Sequence, residues 1–128
     1  MSSRKPARRY PRVARVNEVV REAIGDELDV DRRFVWTAVT QDMLTRHDVT
    51  LEEVEGLIDI VRRTTEAEVT CVIKEEPDGS VRVSLRSLGD VDVRLIASDN
   101  GGGGHRFAAG FESTLDIPSV VANIRGAL

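Results

Sequence analysis

The spacing of apolar and polar positions predicts an alternation of helices and strands along the 128 residues. Between Arg12 and Leu28 apolar residues recur three and four positions apart, which is typical of a helix. The apolar positions of this segment are Val13, Val16, Val20, Ile24 and Leu28. Residues 34–40 are rich in β-branched and aromatic side chains, which predicts a strand. Between them, Asp29 to Arg33 carries four charged residues in five and indicates a junction.

A second helix and a hairpin are predicted in the middle of the chain. Thr50 with Glu53 three residues later forms a capping box, which marks a helix start. The residues behind it that share one apolar face are Leu51, Val54, Leu57, Ile58 and Val61. Two β-rich runs, residues 67–75 and 80–87, then flank Pro77-Asp78-Gly79, which is a turn signal. We therefore expect a hairpin, with Val81, Val83 and Leu85 on its packed side.

The last third predicts a short helix over 90–98, a strand over 109–114 and a final helix opened by Asp116. From residue 34 the order is strand, helix, hairpin, short helix, strand, helix. This order predicts an α+β fold, a mixed sheet with a β-hairpin and helices packed against it, preceded by a basic arm and helix. We expect one core, which runs from Val39 through Leu57, Val83 and Ile124.

Composition places the chain among globular proteins, since 41% of its residues are hydrophobic. No apolar run approaches the roughly 20 residues that a membrane-spanning helix needs, and no secretory signal is evident, so we expect no membrane partner. The single cysteine, Cys71, lies among Val69, Val72 and Ile73 and is predicted to be buried. A single cysteine cannot form a disulfide within the chain, which fits a reducing compartment, and we expect a cytoplasmic protein.

Charge is distributed unevenly although the formal net charge is only −4. Residues 1–15 hold six basic side chains and no acidic one, whereas residues 34–128 hold nine basic and sixteen acidic ones. A basic arm on an acidic body suggests a polyanion such as RNA as the partner of the arm, and a solvated terminus is the equal alternative. The basic residues of the arm are Arg4, Lys5, Arg8, Arg9, Arg12 and Arg15.

The strongest candidate for a binding site is the segment of residues 101–110. Its sequence is Gly-Gly-Gly-Gly-His-Arg-Phe-Ala-Ala-Gly. Glycines let backbone N–H groups approach a ligand closely, and successive N–H groups form a concavity suited to an anion. His105 and Arg106 add charged donors at its lip. A glycine run can also be a flexible linker, but the apolar residues on both sides favour a structured loop that faces an anion.

Several segments resemble the C-terminal, DHH-associated domain of DHH-family phosphoesterases, of the bacterial oligoribonuclease and pAp-phosphatase type. The resemblance covers residues 33–128. The segments that carry it are Val35-Trp36-Thr37-Ala38-Val39-Thr40, Glu53-Val54-Glu55-Gly56-Leu57-Ile58-Asp59, Val81-Arg82-Val83-Ser84-Leu85-Arg86-Ser87, Gly89-Asp90-Val91-Asp92-Val93 and the glycine–histidine run. One departure is Asn100, where an apolar residue would be expected to close the short helix.

The resemblance implies that a separate DHH domain holds manganese and generates the attacking hydroxide, while this domain grips the substrate. The printed sequence contains no Asp-His-His, and Arg46-His47-Asp48 reverses that order. We therefore expect His47 at the surface, Asp90 and Asp92 as a turn and helix-cap pair, no metal or cofactor on these residues, and binding without cleavage. The residues expected to hold a nucleotide phosphate or short single strand are Gly101, Gly102, Gly103, Gly104, His105, Arg106 and Arg86.

Residues 9–28 are similar to the first helix of bacterial ribosome-binding factor A. This similarity predicts two parts, residues 1–32 and 33–128, joined by a gene fusion. It also leaves open a second function, small-ribosomal-subunit maturation through the basic helix. A third possibility is a phosphoesterase that is active only with a DHH domain in trans. Because the surface that faces the DHH domain in the family would be exposed, self-association is a further expectation.

Overall fold

The computed structural model describes residues 14–16, 18–19, 28–29, 34–55 and 67–128. The strands are β1 (Leu28–Asp29), β2 (Phe34–Val39), β3 (Val69–Glu75), β4 (Val81–Ser87), β5 (Gly103–His105) and β6 (Ala108–Ser113). The helices are α1 (Gln41–His47), α2 (Val93–Asp99) and α3 (Ile117–Ala127). Residues 14–16, 18–19 and 51–55 are also helical. The predicted helical positions Leu57, Ile58 and Val61 lie outside the described residues.

The six strands form one mixed sheet in the order β1-β2-β3-β4-β6-β5. The β2–β3 pair is parallel, and every other neighbouring pair is antiparallel. The predicted α+β fold is therefore confirmed. The β3–β4 hairpin closes where the turn signal stands, with the Glu76 N–H donating to the Ser80 carbonyl at 2.8 Å and Gly79 at φ +90°.

One face of the sheet packs against α2 and α3. The buried positions of β4 on this side are Val81, Val83 and Leu85, as the alternation along the strand predicts. Cys71 belongs to the same cluster and is 1% exposed, which confirms it as a core residue. The helical residues of the cluster are Val93, Ile96, Ala97, Val120, Val121 and Ile124.

The opposite face carries a second, separate cluster. Its members are Val16, Val19, Val39, Leu44, Val49, Val54 and Val72. The expectation of one core that joins Val39 to Val83 is wrong, because successive strand residues point to opposite sides and these two valines face different layers. Leu57, the other link in that expectation, lies outside the described residues. The second cluster covers only the β2 and β3 part of its face.

Val16 and Val19 are 8% and 0% exposed, so part of the N-terminal segment packs on the sheet. Of the basic arm, only Arg15 lies within the described residues, and its guanidinium pairs with the Asp48 carboxylate at 3.1 Å. The division into residues 1–32 and 33–128 and the similarity to ribosome-binding factor A stay predictions.

Capping side chains set three of the helix starts that follow α1 along the chain. The Thr50–Glu53 capping box is confirmed, since the Thr50 N–H donates to Glu53 Oε1 at 3.1 Å and the Glu53 N–H donates to Thr50 Oγ1 at 3.3 Å. Asp92 accepts from the Arg94 N–H, so α2 begins at Val93 and not at Asp90. Asp116 accepts from the Ser119 N–H at 2.8 Å and opens α3 as predicted.

Helix α1 was not predicted, because Leu44 is its one buried residue and its sequence shows no apolar stripe. Thr40 caps its start, and Asp48 ends it in the left-handed region at φ 53°. His47 is the last residue of α1. The sequence predicts it at the surface, and in the structure it is half-buried.

Asp116→Asn tests the cap of α3 through its pH dependence. Hydrogen bonds from the Ser119 hydroxyl and backbone N–H lower the pKa of Asp116 below its ordinary value of 3.8. A lowered folded-state pKa stabilises the fold above the ordinary value, and this contribution is lost as the pH falls through the lowered pKa. Asparagine keeps the acceptor oxygen but cannot ionise. We expect the variant to be less stable at neutral pH and the difference to close in acid, measured by urea unfolding; a pH-independent difference would contradict the assignment.

Gly110→Ala tests how closely the strands of the sheet approach. A Cβ at Gly110 would lie 2.7 Å from the backbone oxygen of Val83, and backbone cannot move aside as a side chain can. Overpacking of this kind costs about 1–3 kcal/mol of unfolding free energy. The matched control is Gly103→Ala, where an added Cβ meets nothing within 4 Å and which we expect to stay within about 0.5 kcal/mol of wild type. Equal unfolding midpoints for the two variants would show that the approach is not restrictive.

Candidate functional site

The glycine-rich segment forms a β-hairpin where the sequence predicts a loop. Gly103, Gly104 and His105 pair with Gly110, Ala109 and Ala108 respectively. Arg106 and Phe107 make the two-residue turn. β5 is the last strand of the sheet, so one of its sides is an edge with unpaired N–H and C=O groups. Glycine is depleted in strands, which explains why the sequence pattern did not indicate this one.

The first two glycines of the run close α2. The N–H of Gly101 donates to the Ser98 carbonyl at 3.1 Å, and the N–H of Gly102 donates to the Ala97 carbonyl at 2.8 Å. The concavity of four successive backbone amides that the sequence predicted therefore does not form. Asn100 belongs to the same helix end, since its side-chain N–H donates to the Ile96 carbonyl at 2.8 Å. Its polar side chain satisfies a terminal carbonyl of α2.

Arg86 and His105 lie in one row across the sheet. Arg86 of β4 is directly opposite Ala108 of β6, and Ala108 is directly opposite His105 of β5. Residues opposite each other in an antiparallel pair point to the same side, so both side chains flank Ala108. With strands about 4.8 Å apart, the two Cα atoms are separated by roughly 10 Å. Two long side chains can converge over a small residue at that spacing.

This row belongs to a half-face of the sheet that the described helices leave uncovered, hereafter the bare face. It is formed by alternate residues of three strands, which are Arg82, Ser84 and Arg86 of β4, Ala108, Gly110 and Glu112 of β6, and Gly103 and His105 of β5. Phe111, between Gly110 and Glu112, packs into the core on the other side. Ala108, Gly110 and Ser84 give the bare face a floor of small residues.

Ser84 is the residue of this floor that sequence reasoning missed. It is half-buried between the exposed Arg82 and Arg86. The alternation along β4 contained the signal, because a small polar residue between two cations on a solvent-facing strand leaves room above the sheet.

Arg86 and His105 have no ion-pair partner among the described residues. Arg86 and His105 are exposed, and within the described part of the chain neither forms an ion pair or a side-chain hydrogen bond. Unpaired donors of this kind are free to bind an anion.

Arg106 lies elsewhere, at the hairpin turn. Its guanidinium stands 5.6 Å from the centre of the Phe107 ring, and Nη2 donates to the Asp90 carbonyl at 3.5 Å. Its own carbonyl accepts from the Val93 N–H at 3.0 Å. The structure therefore brings Arg86 and His105 together and places Arg106 beside the loop that leads into α2.

The described residues do not fit a manganese site of their own. Among residues 34–55 and 67–128 and the short described stretches before them, no group of three or more His, Cys, Asp or Glu could hold a metal ion. Asp92 is engaged as a helix cap, and the backbone N–H of Asp90 donates to Glu68 Oε1 at 3.0 Å. The manganese that the resemblance implies concerns a DHH domain and stays a prediction. Within the same ranges no helix has the length and apolarity to cross a bilayer.

Several solved structures have a similar fold. An exopolyphosphatase-related protein from Bacteroides fragilis is 21% identical over 91% of this chain and 34% of its own, with a TM-score of 0.71. A pGpG-specific phosphodiesterase, PggH from Vibrio cholerae, is 10% identical over 91% of this chain and 39% of its own, at 0.55. The chain thus spans 34% of the length of the first of these proteins.

This chain matches a third structure over most of that structure's length. The C-Ala domain of alanyl-tRNA synthetase from Aquifex aeolicus is 18% identical over 74% of this chain and 89% of its own, with a TM-score of 0.52. At these identities the likeness shows the fold alone. The family is shown by the DHHA1 domain model, which matches residues 33–128 of this chain. This range includes the whole bare face. The chain belongs to the DHHA1 domain family.

Proposed function

We propose that this chain is a nucleotide-phosphate-binding module of a DHH-type phosphoesterase, and that the bare face holds the terminal phosphate of a nucleotide or short single strand. The observation that carries the proposal is the row of Arg86, Ala108 and His105. A guanidinium can donate two parallel hydrogen bonds to a phosphate, and an imidazole can donate a third from the opposite side. Ala108 between them lets the phosphate approach the sheet.

The edge of β5 supports the same ligand. N–H groups along an edge strand point alternately to the partner strand and to the open side, so either Gly103 or Gly104 directs its N–H group to the open edge. Neither residue has a side chain to block that edge, and open space surrounds a hypothetical Cβ at Gly103. We assign Gly101 and Gly102 to positioning of the hairpin, because their amides close α2. We assign Arg106 to long-range attraction of an anion, because its guanidinium lies at the turn.

Hydrolysis would belong to a DHH domain, in the same protein or in trans. In the proposed division of labour, such a domain supplies manganese and the attacking hydroxide, and Arg86 and His105 hold the phosphate in place. The names of two structural neighbours, an exopolyphosphatase-related protein and a pGpG-specific phosphodiesterase, are consistent with a substrate that carries phosphate. Self-association through the surface that would face a DHH domain, and binding to the small ribosomal subunit through residues 1–28, stay predictions from the sequence.

Single substitutions on β4 and β5 test the proposed site. We expect Arg86→Ala and His105→Ala each to weaken binding of pAp or a 5′-phosphorylated dinucleotide about tenfold or more, because a hydrogen bond to a charged group contributes about 1.5–3 kcal/mol. Isothermal titration calorimetry measures the affinities. Arg82→Ala is the matched control, since Arg82 shares the strand and the face but already pairs with Glu76 and Glu112.

An unchanged affinity in both Arg86→Ala and His105→Ala would overturn the assignment of the site. A loss in Arg82→Ala as large as that in Arg86→Ala would show a general charge effect instead of a specific contact.

Ionic strength provides an independent test. Exposed charges are screened over about 10 Å at 0.1 M salt, so binding that depends on Arg86 and His105 weakens as salt is raised. We expect the affinity for pAp to fall steeply between low and high salt and an unphosphorylated adenosine to bind at neither. Fluorescence competition can measure both ligands, and equal binding of adenosine and pAp would refute phosphate recognition.

A further inference from the structure

The bare face changes charge along its strands. At one end lies the row of Arg86, Ala108 and His105, hereafter the phosphate row. Two residues further along β4 and β6 lies a row of small residues, which are Ser84, Gly110 and Gly103. Two residues beyond that lies the acidic row, which pairs Arg82 with Glu112. The phosphate row and the acidic row are about 13 Å apart, since a strand rises about 3.3 Å per residue.

The cations of the acidic row are already neutralised. Arg82 Nη2 lies 3.4 Å from Glu76 Oε1, and Arg82 Nε lies 4.0 Å from Glu112 Oε1. On β3, next in the same row, Lys74 Nζ lies 3.1 Å from Glu55 Oε1. Two cations thus face three carboxylates, and the Glu112 side chain is 77% exposed. An anion at this end of the bare face meets net negative charge.

A flat path leads away from the phosphate row along the strands. Toward β2 the face is covered, because Val39 and Val72 pack with Val16, Val19 and Val54. At the opposite end of the strands the Leu88 side chain projects, 72% exposed. The small-residue row carries no long side chain, so it leaves room for a chain attached to the bound phosphate to lie along the strands toward Glu112.

From this arrangement we infer that Glu112 is a specificity-determining residue which limits the length of the nucleic acid that the site accepts. The inference rests on the proposed function. A terminal phosphate with one neighbouring nucleotide fits over the phosphate and small-residue rows. A longer strand carries further phosphates toward the Glu112 carboxylate, and like charges in proximity repel. Arg82 holds that carboxylate at the sheet and keeps it at the end of the path.

The test compares ligands of different length on the full chain. We expect the wild type to bind 5′-phosphorylated mono- and diadenylate comparably and a pentaadenylate no better, as measured by calorimetry at low salt. Glu112→Gln removes one charge and keeps the shape. We expect it to strengthen pentaadenylate binding about threefold, as for one unit charge at a few ångströms in water, and to leave the mononucleotide unchanged. High salt should abolish the difference.

Asp99→Asn is the matched control, because it removes the same charge from α2, on the other side of the sheet. An equal gain for pentaadenylate in Asp99→Asn and Glu112→Gln overturns the inference, as does a wild type that prefers the pentaadenylate to the dinucleotide. If the wild type binds short ligands through Arg86 and His105 but Glu112→Gln changes nothing, only the length limit fails. If the wild type binds none of the three, the proposed function fails and the length limit with it.

Discussion

β4 lies inside the sheet, and its side chains must satisfy two environments at once. Val81, Val83 and Leu85 are buried against α2 and α3, and each is at most 2% exposed. The residues between them must then face the opposite side, whatever chemistry they carry. A shift of register by one residue would bury Arg82 and Arg86 in an apolar core, so burial of the valines fixes where the cations stand. The candidate site is thus held in place by the hydrophobic core.

The glycines of the hairpin serve close packing as much as ligand access. A Cβ at Gly104 would lie 2.5 Å from the Ala109 Cα, and one at Gly102 would collide with the Gly110 carbonyl. Gly101 and Gly104 also adopt positive φ values of 85° and 142°. Such contacts let β5 lie flat against β6, which brings His105 into the row of Arg86. Phosphate recognition at this site would therefore depend on backbone geometry before any charged group acts.

Much of the fold could be predicted from the sequence, and the site only in part. Alternation along β4, the Pro77-Asp78-Gly79 turn and the Asp116 cap are local signals, and each predicted its element. Pairing between distant strands is not local, so the placement of Arg86 beside His105 could not be read from spacing. The glycine run was predicted as a loop although part of it forms β5. The physical reason is that residues without side chains show no periodicity from which a strand can be recognised. α1 was missed because tertiary contacts to one leucine stabilise it.

The end of α2 and the start of the hairpin share hydrogen bonds through Gly101 and Gly102. Fraying of the helix would remove the anchor of β5, and detachment of β5 would expose the last helical carbonyls. We therefore expect the two to open together as one cooperative unit in native-state hydrogen exchange. A ligand that rests on His105 would slow amide exchange in α2, on the far side of the sheet, without touching it. Amide exchange in α2 would then report whether the site is occupied, although α2 itself makes no contact with the ligand.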